Sequence, residues 1–168
     1  MLTLRPMSGY DLRQEIDKTL GHFWQESYGQ LYPTLARLEQ AGLVSSSQQA
    51  EGERVRQVYK LAAKGRAKLR AWLAQTPMRH VERNELLMKL FFATEVDAAK
   101  PLAHLNASRA DATERLNALR ELGVMLAQLA DKPGYDYYWA TVRSGELGLE
   151  AHIRWCDEVL ARLSRPRA

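Results

Sequence analysis

The chain has 168 residues, 46% hydrophobic and 26% charged, which suits one large or two small globular domains and excludes a disordered composition. There is no run of 18 apolar residues and no basic-then-apolar leader at the start, and the single cysteine, Cys156, excludes an internal disulfide; a cytoplasmic protein without a membrane span is expected. The net charge of +4 lies wholly in residues 1–75, with 11 Lys+Arg against 7 Asp+Glu, while residues 76–168 hold 13 of each. Most of the excess sits in "GERVRQVYKLAAKGRAKLR", residues 52–70, which reads either as a solvated face or as the mark of a polyanion partner.

In chain order, Ser8 is placed as a helix N-cap, with Asp11 three residues on in a near capping box and Met7 and Leu12 as a hydrophobic staple. Leu12, Ile16 and Leu20 recur every four residues, and Gly21 suits the C′ position, so residues 8–20 are predicted as a helix. In "ESYGQLYPTLARLEQAGLV", Leu31, Leu35 and Leu38 share one helical face, closed by a C′ glycine at Gly42 and its apolar partner Leu43. Two short helices this close make a helix-turn-helix unit. Pro33 predicts an irregular or kinked first turn in the second of them. "LVSSSQQ" and "RVRQVYKL" are strand-compatible, and Val55, Gln57, Tyr59 and Leu61 alternate with Arg54, Arg56, Val58 and Lys60, the pattern of a half-buried hairpin strand. A third helix, about Ala63 to Gln75, is expected to turn Leu69, Trp72 and Leu73 to the core. Thr76-Pro77 breaks the chain, giving expected domains 1–76 and 77–168.

The second half reads as helical throughout. "NELLMKLFFA" is a short apolar helix. Leu105, Ala112, Leu119 and Leu126 then repeat every seven residues, and so do Val142, Leu149, Cys156 and Leu163 beyond the turn "DKPGYD". Such seams pack into bundles or coiled-coil dimers, and a helical hairpin of this size leaves wide faces uncovered, which favours a dimer.

No catalytic or metal motif stands out. His22, His80, His104 and His152 are widely spaced, no Cys-x-x-Cys, P-loop or G-x-S-x-G occurs, and Cys156 lies on a seam, where packing is the expected role. No cofactor is expected. The helix-turn-helix and hairpin instead suit double-stranded DNA. Opposite the buried leucines stand Gly29, Pro33 and Arg37, with Gln30 beside them; Gln30 can offer a base both donor and acceptor, and Arg37 can pair with guanine or phosphate. Ser27 and Tyr28 lie at the helix start, where free N–H groups bind phosphate. Arg54, Arg56 and Lys60 would form a wing along the backbone or minor groove. Tyr32 is expected to pack. Trp24, Tyr138, Trp139 and Trp155, with Tyr135 and Tyr137, are the candidates to line an aromatic effector pocket, against a plain core role.

"MSGYDLRQEI", "SYGQLYPTLARLEQAGLV", "RQVYKLAAKGRAKL" and "NELLMKLFFA" together resemble the PadR family of transcriptional regulators. "YYWATVRSGELGLEAHIRWCDEVL" resembles the last helix of that family's virulence-activator-like C-terminal region. The resemblance implies a winged helix-turn-helix domain followed by a long-helix dimerisation domain, mainly α with a small β-hairpin. It also implies a homodimeric repressor, released by a small hydrophobic or phenolic ligand. It places the recognition helix in Gly29–Leu43 and the wing in Val55–Leu61. Two departures stand out. Ala62-Ala63 replaces a polar helix cap, a loss of about 1 kcal/mol. Only Met1 to Leu4 remain of the apolar helix that ordinarily precedes the "MSGYDL" block, which predicts that Leu12, Ile16, Leu31, Leu35 or Leu38 is uncovered and points to a mis-assigned or trimmed start. A helical interaction module whose winged helix no longer binds DNA is the competing reading.

Overall fold

The computed structural model describes residues 1–24, 28–51, 54–78 and 83–165. The chain divides into two compact units, Met1–Arg79 and His80–Ala168. It is mainly helical, with one three-stranded antiparallel sheet.

In the first unit, strand β1 (Met7–Ser8) leads directly into helix α1 (Gly9–Leu20). The capping box is complete: the Asp11 N–H donates to Ser8 Oγ at 3.2 Å, and the Ser8 N–H and hydroxyl both donate to Asp11 Oδ2, at 3.2 and 2.7 Å. Those bonds, with the charges of Arg56 and Arg5, hold the Asp11 carboxyl below the usual carboxylate range. Gly21 does not take the left-handed cap conformation expected of it; its φ is −56° and its N–H bonds to the Ile16 carbonyl. A side chain there would meet the Asp17 carbonyl oxygen at 2.5 Å, so glycine serves the tight closure rather than a positive φ.

Helix α2 (Leu31–Gln40) follows a 3₁₀ turn at Tyr28–Gln30. The irregularity expected from Pro33 therefore precedes the helix. Pro33 is the third helical residue, where its missing N–H would have no intrahelical acceptor. Gly42 takes φ +67°, and the Leu43 N–H reaches back to the Leu38 carbonyl at 2.9 Å, the expected glycine closure. Strands β2 (Val44–Glu51) and β3 (Arg54–Leu61) form the hairpin, and β1 pairs with the other edge of β3, Met7 opposite Tyr59. Met7, Leu12, Leu35, Val44 and Tyr59 make the core, with Met1, Leu2, Leu31 and Leu38 packed against it. Leu12 and Leu35 are buried, and Ile16, Leu31 and Leu38 half-buried, so the exposure expected of these residues is not found.

Helix α3 (Ala63–Leu73) starts at Ala62 without a side-chain cap, as its sequence implies. Gly65 sets its approach: a Cβ there would lie 2.0 Å from the Leu43 carbonyl oxygen. Only the first half of α3 docks in this way. Trp72 and Leu73, expected in the core, are 60% and 65% exposed, two turns beyond the close backbone contact at Gly65.

In the second unit, α4 (Glu85–Phe91) is capped by the Asn84 side chain. Helices α5 (Ala99–Ala127) and α6 (Tyr135–Leu163) form an antiparallel hairpin. Pro101 sits in the first turn of α5, and Gly134, at φ +91°, turns the chain into α6. Leu105, Ala112, Leu116, Leu119 and Leu122 bury one stripe of α5, and Val142 and Cys156 answer from α6. The seven-residue seams thus face each other within one chain, except at Leu163, which was expected on the α6 seam and is 42% exposed in the last turn of that helix. Arg109–Asp157 and Arg120–Glu150 ion pairs flank them. Among the described residues no helix is long and apolar enough to cross a membrane.

Candidate nucleic-acid interface

Helix α2 carries the polar face. Leu35 turns inward, 3% exposed, and Pro33 and Arg37 are exposed on α2, while Gly29 and Gln30, expected on the same helix, are exposed in the 3₁₀ turn that precedes it. The Arg37 guanidinium donates to Thr34 Oγ1 at 3.0 Å, which extends the side chain along the helix surface. Ser27 and the side chain of Tyr28 lie outside the described residues, as does the Arg54 side chain.

The hairpin is tied to α2 by a polar chain that the sequence reading missed. Gln57 Nε2 donates to Ser46 Oγ at 2.9 Å, and Ser46 Oγ donates to the Glu39 carboxylate. The hint in the sequence was the run of polar residues Ser45 to Gln49 along β2. The same region pushes the Tyr59 phenol up in pKa, through burial and then the charge of Glu39. The strand register puts Arg54, Arg56 and Lys60 on the sheet face opposite Tyr59. Arg56 stands toward the tip of the hairpin and Lys60 at its base, about 13 Å apart along the strand. Arg56 also lies beside the start of α1, where its charge helps lower the Asp11 pKa. Tyr32, expected to pack, does so with one ring face only: it crosses Gly9, whose added Cβ would lie 2.5 Å from the ring, yet it is 59% exposed.

The aromatic candidates of the second unit are spread along α6. Trp24 belongs to the first unit and is exposed. On α6, Trp155 lies about 24 Å beyond Trp139 at 1.5 Å per residue, so the two cannot touch one small ligand within a protomer. Trp155 stacks instead on His152, ring centroids 5.3 Å apart. Trp139 and Tyr135 border a hollow of about 440 Å³ between α5 and α6, over Gly123 and beside Arg120, Arg143 and Glu146. Tyr138 lies next to it near Gly134. Cys156 is wholly buried, and burial raises its thiol pKa; its sulfur lies 3.7 Å from His152 Nε2, which also meets Ser108 Oγ at 2.8 Å. This is a packed polar link across the seam. Among the described residues no group of three His, Cys, Asp or Glu side chains could hold a metal.

Residues 1–71 match the transcriptional regulator PadR-like family, and residues 82–164 match the virulence activator alpha C-terminal family. The probable transcriptional regulator Rv1176c of Mycobacterium tuberculosis is 28% identical over 95% of this chain and 92% of its own length. PadR of Bacillus subtilis, named a negative transcriptional regulator, is 28% identical over 51% of this chain and 48% of its own. Its structure in complex with operator DNA superposes with a TM-score of 0.83 at 20% identity, over 97% and 94% of the two chains, and it has also been solved with p-coumaric acid. The virulence activator AphA of Vibrio cholerae superposes with a TM-score of 0.73 at 27% identity, over 96% and 92%. The chain thus joins a PadR-like transcriptional regulator domain to a virulence activator alpha C-terminal domain, with the winged-helix fold of its solved neighbours, and the relatives it matches are transcriptional regulators rather than enzymes.

Proposed function

We propose that the protein is a homodimeric repressor that reads its operator with α2, braces on the backbone with the hairpin, and is released by a small aromatic ligand. The observation that carries this reading is the exposed run of Gly29 and Gln30, in the 3₁₀ turn, and Pro33 and Arg37, on α2, with Leu35 of the same helix buried and Glu39 tied to a basic hairpin. A helix of this kind discriminates base edges in the major groove, while Arg54, Arg56 and Lys60 supply salt-dependent affinity. Ser27 and Tyr28 complete the proposed contacts at the helix start. The likeness to a regulator solved on operator DNA supports the DNA partner, and the name of the B. subtilis relative supports repression.

Dimerisation draws support from the second unit, where Phe91, Val124 and Tyr137 remain 81%, 70% and 80% exposed, more apolar surface than a helical hairpin ordinarily leaves in water. A two-fold dimer would place two copies of α2 about one turn of DNA apart, on a pseudo-palindromic site. Trp139, over the hollow between α5 and α6, is the strongest of the proposed effector residues, with Tyr138 next to it in the chain; Trp155, about 24 Å further along α6, and Trp24, in the first unit, complete the proposed set.

The test is a gel shift against the DNA upstream of the protein's own coding region, with a scrambled duplex as control. Retardation specific to the upstream duplex, from a species that sediments as a dimer, is expected. Binding lost at modest salt and indifferent to sequence would leave only non-specific charge. No retardation at low salt would leave a helical interaction module instead. Arg56→Ala should weaken binding on all duplexes and flatten the salt dependence by about one unit of slope. A reporter downstream of the site should rise on deletion of the gene. Titration with p-coumaric acid should quench Trp fluorescence and release the DNA.

A further inference from the structure

Between α1, α2 and β3 the first unit holds a polar notch of about 520 Å³, bordered by Gly9, Tyr10, Tyr32, Arg56, Gln57 and the buried Tyr59. Its form follows from the sheet. Strand β1 covers β3 only at Tyr59 and Val58, and the chain then turns into α1, so the edge of β3 at Gln57 and Arg56 opens beside the first turn of that helix. Tyr32, from α2, lies across Gly9 with its hydroxyl 3.2 Å from where a Cβ would stand. Tyr10 stands next to it, 56% exposed. Gln14 Nε2 donates to the Tyr10 oxygen at 2.9 Å, so the phenol proton remains to donate outward. Asp11 borders the adjoining hollow beyond Arg56 and is held by Ser8.

We infer that this notch seats one phosphate of the operator backbone, with the Tyr10 and Tyr32 hydroxyls as donors and Arg56 as the charge. The inference rests on the DNA-binding reading above. With α2 in the major groove, about 12 Å wide, the bordering phosphates run past the two sides of that helix. The notch lies on one such side, between the start of α2 and the hairpin. Two phenol donors, a guanidinium and an amide suit an anionic oxygen cluster, and phosphate contacts of this kind set the register of the protein without reading sequence. Gly9 would then have two roles: it lets the Tyr32 ring approach, and it leaves the notch open.

The experiment measures binding of the full-length protein to the upstream duplex and to a scrambled duplex by fluorescence anisotropy over a range of salt. Tyr10→Phe and Tyr32→Phe keep both rings and should leave the thermal midpoint unchanged. Each should weaken binding about tenfold on both duplexes, since the lost bond is to a charged group. The slope of affinity against salt should stay the same, because a neutral phenol displaces no counterion. Arg56→Gln should lower that slope by about one. Upstream duplexes carrying a single methylphosphonate, scanned along the site, should identify one phosphate whose neutralisation weakens the wild type but adds little to Tyr10→Phe or Tyr32→Phe. Wild-type affinity in both tyrosine variants, or full additivity with every methylphosphonate, would overturn the inference and leave the DNA-binding reading intact. Failure of the wild type to bind either duplex would overturn both.

Discussion

The two units hold themselves together in different ways. The first joins short helices and strands, each fixed by a local device: the Ser8–Asp11 capping box, the Gly42 closure, and the Gly65 contact with the Leu43 backbone. The second rests on two 29-residue helices zipped by one seam, from Leu105 to Leu122 on α5. Their surfaces differ as well. The first holds 12 Lys+Arg against 7 Asp+Glu and the second 12 against 13, while both leave large apolar side chains in water, Trp72 and Leu73 in the first and Phe91 and Val124 in the second. A unit made of short pieces depends on backbone detail, whereas a long seam depends on volume.

Several substitutions would break or sharpen that contrast. Leu105→Ala, at a wholly buried seam position, should cost about 2–5 kcal/mol, read as a lower urea midpoint for the helical unit. A loss below 1 kcal/mol would mean that the seam does not govern that unit. Gly65→Ala should cost about 1–3 kcal/mol, because its methyl group meets backbone rather than a side chain that could swing away. By contrast Gly148, on the seam hairpin with open space around it, should accept alanine and gain about 0.5–1 kcal/mol of helix propensity. Ser8→Ala removes the cap and should cost about 1 kcal/mol, confined to the first unit by hydrogen exchange.

The smallest expected effect is one of pH. Asp11 has a folded pKa held below its unfolded value of about 3.9. Its contribution is therefore complete above the unfolded value and is lost as pH falls through the folded one. Acid titration of the wild type should show this loss, and Asp11→Asn should remove the Asp11 share of it. An unchanged acid limb in Asp11→Asn would assign the pH response to other carboxylates.

Much of this was legible in the residues themselves. Ser8 and Asp11 announce a cap, Met7 and Leu12 a staple, and Gly42-Leu43 a helix end, because each device joins residues at most five apart. The period-two pattern of β3 and the period-seven pattern of α5 and α6 were legible for the same reason: periodicity is a local record of which side faces inward. The resemblance that includes Gly29–Leu43 pointed to the PadR-like regulators whose family model matches residues 1–71. The chain alone could not declare that Met7 and Ser8 form a third strand, since two residues carry no periodicity and their partner lies some 50 residues away. Nor could it declare that Trp72 and Leu73 end in water, that Gly21 closes its helix without a positive φ, or that Tyr32 keeps one face open. Local order determined the helices, the hairpin and the polar face of α2. Tertiary packing decided which apolar residues are covered and brought Tyr10, Tyr32 and Arg56 around one notch, because burial and convergence depend on which distant segments arrive at the same place.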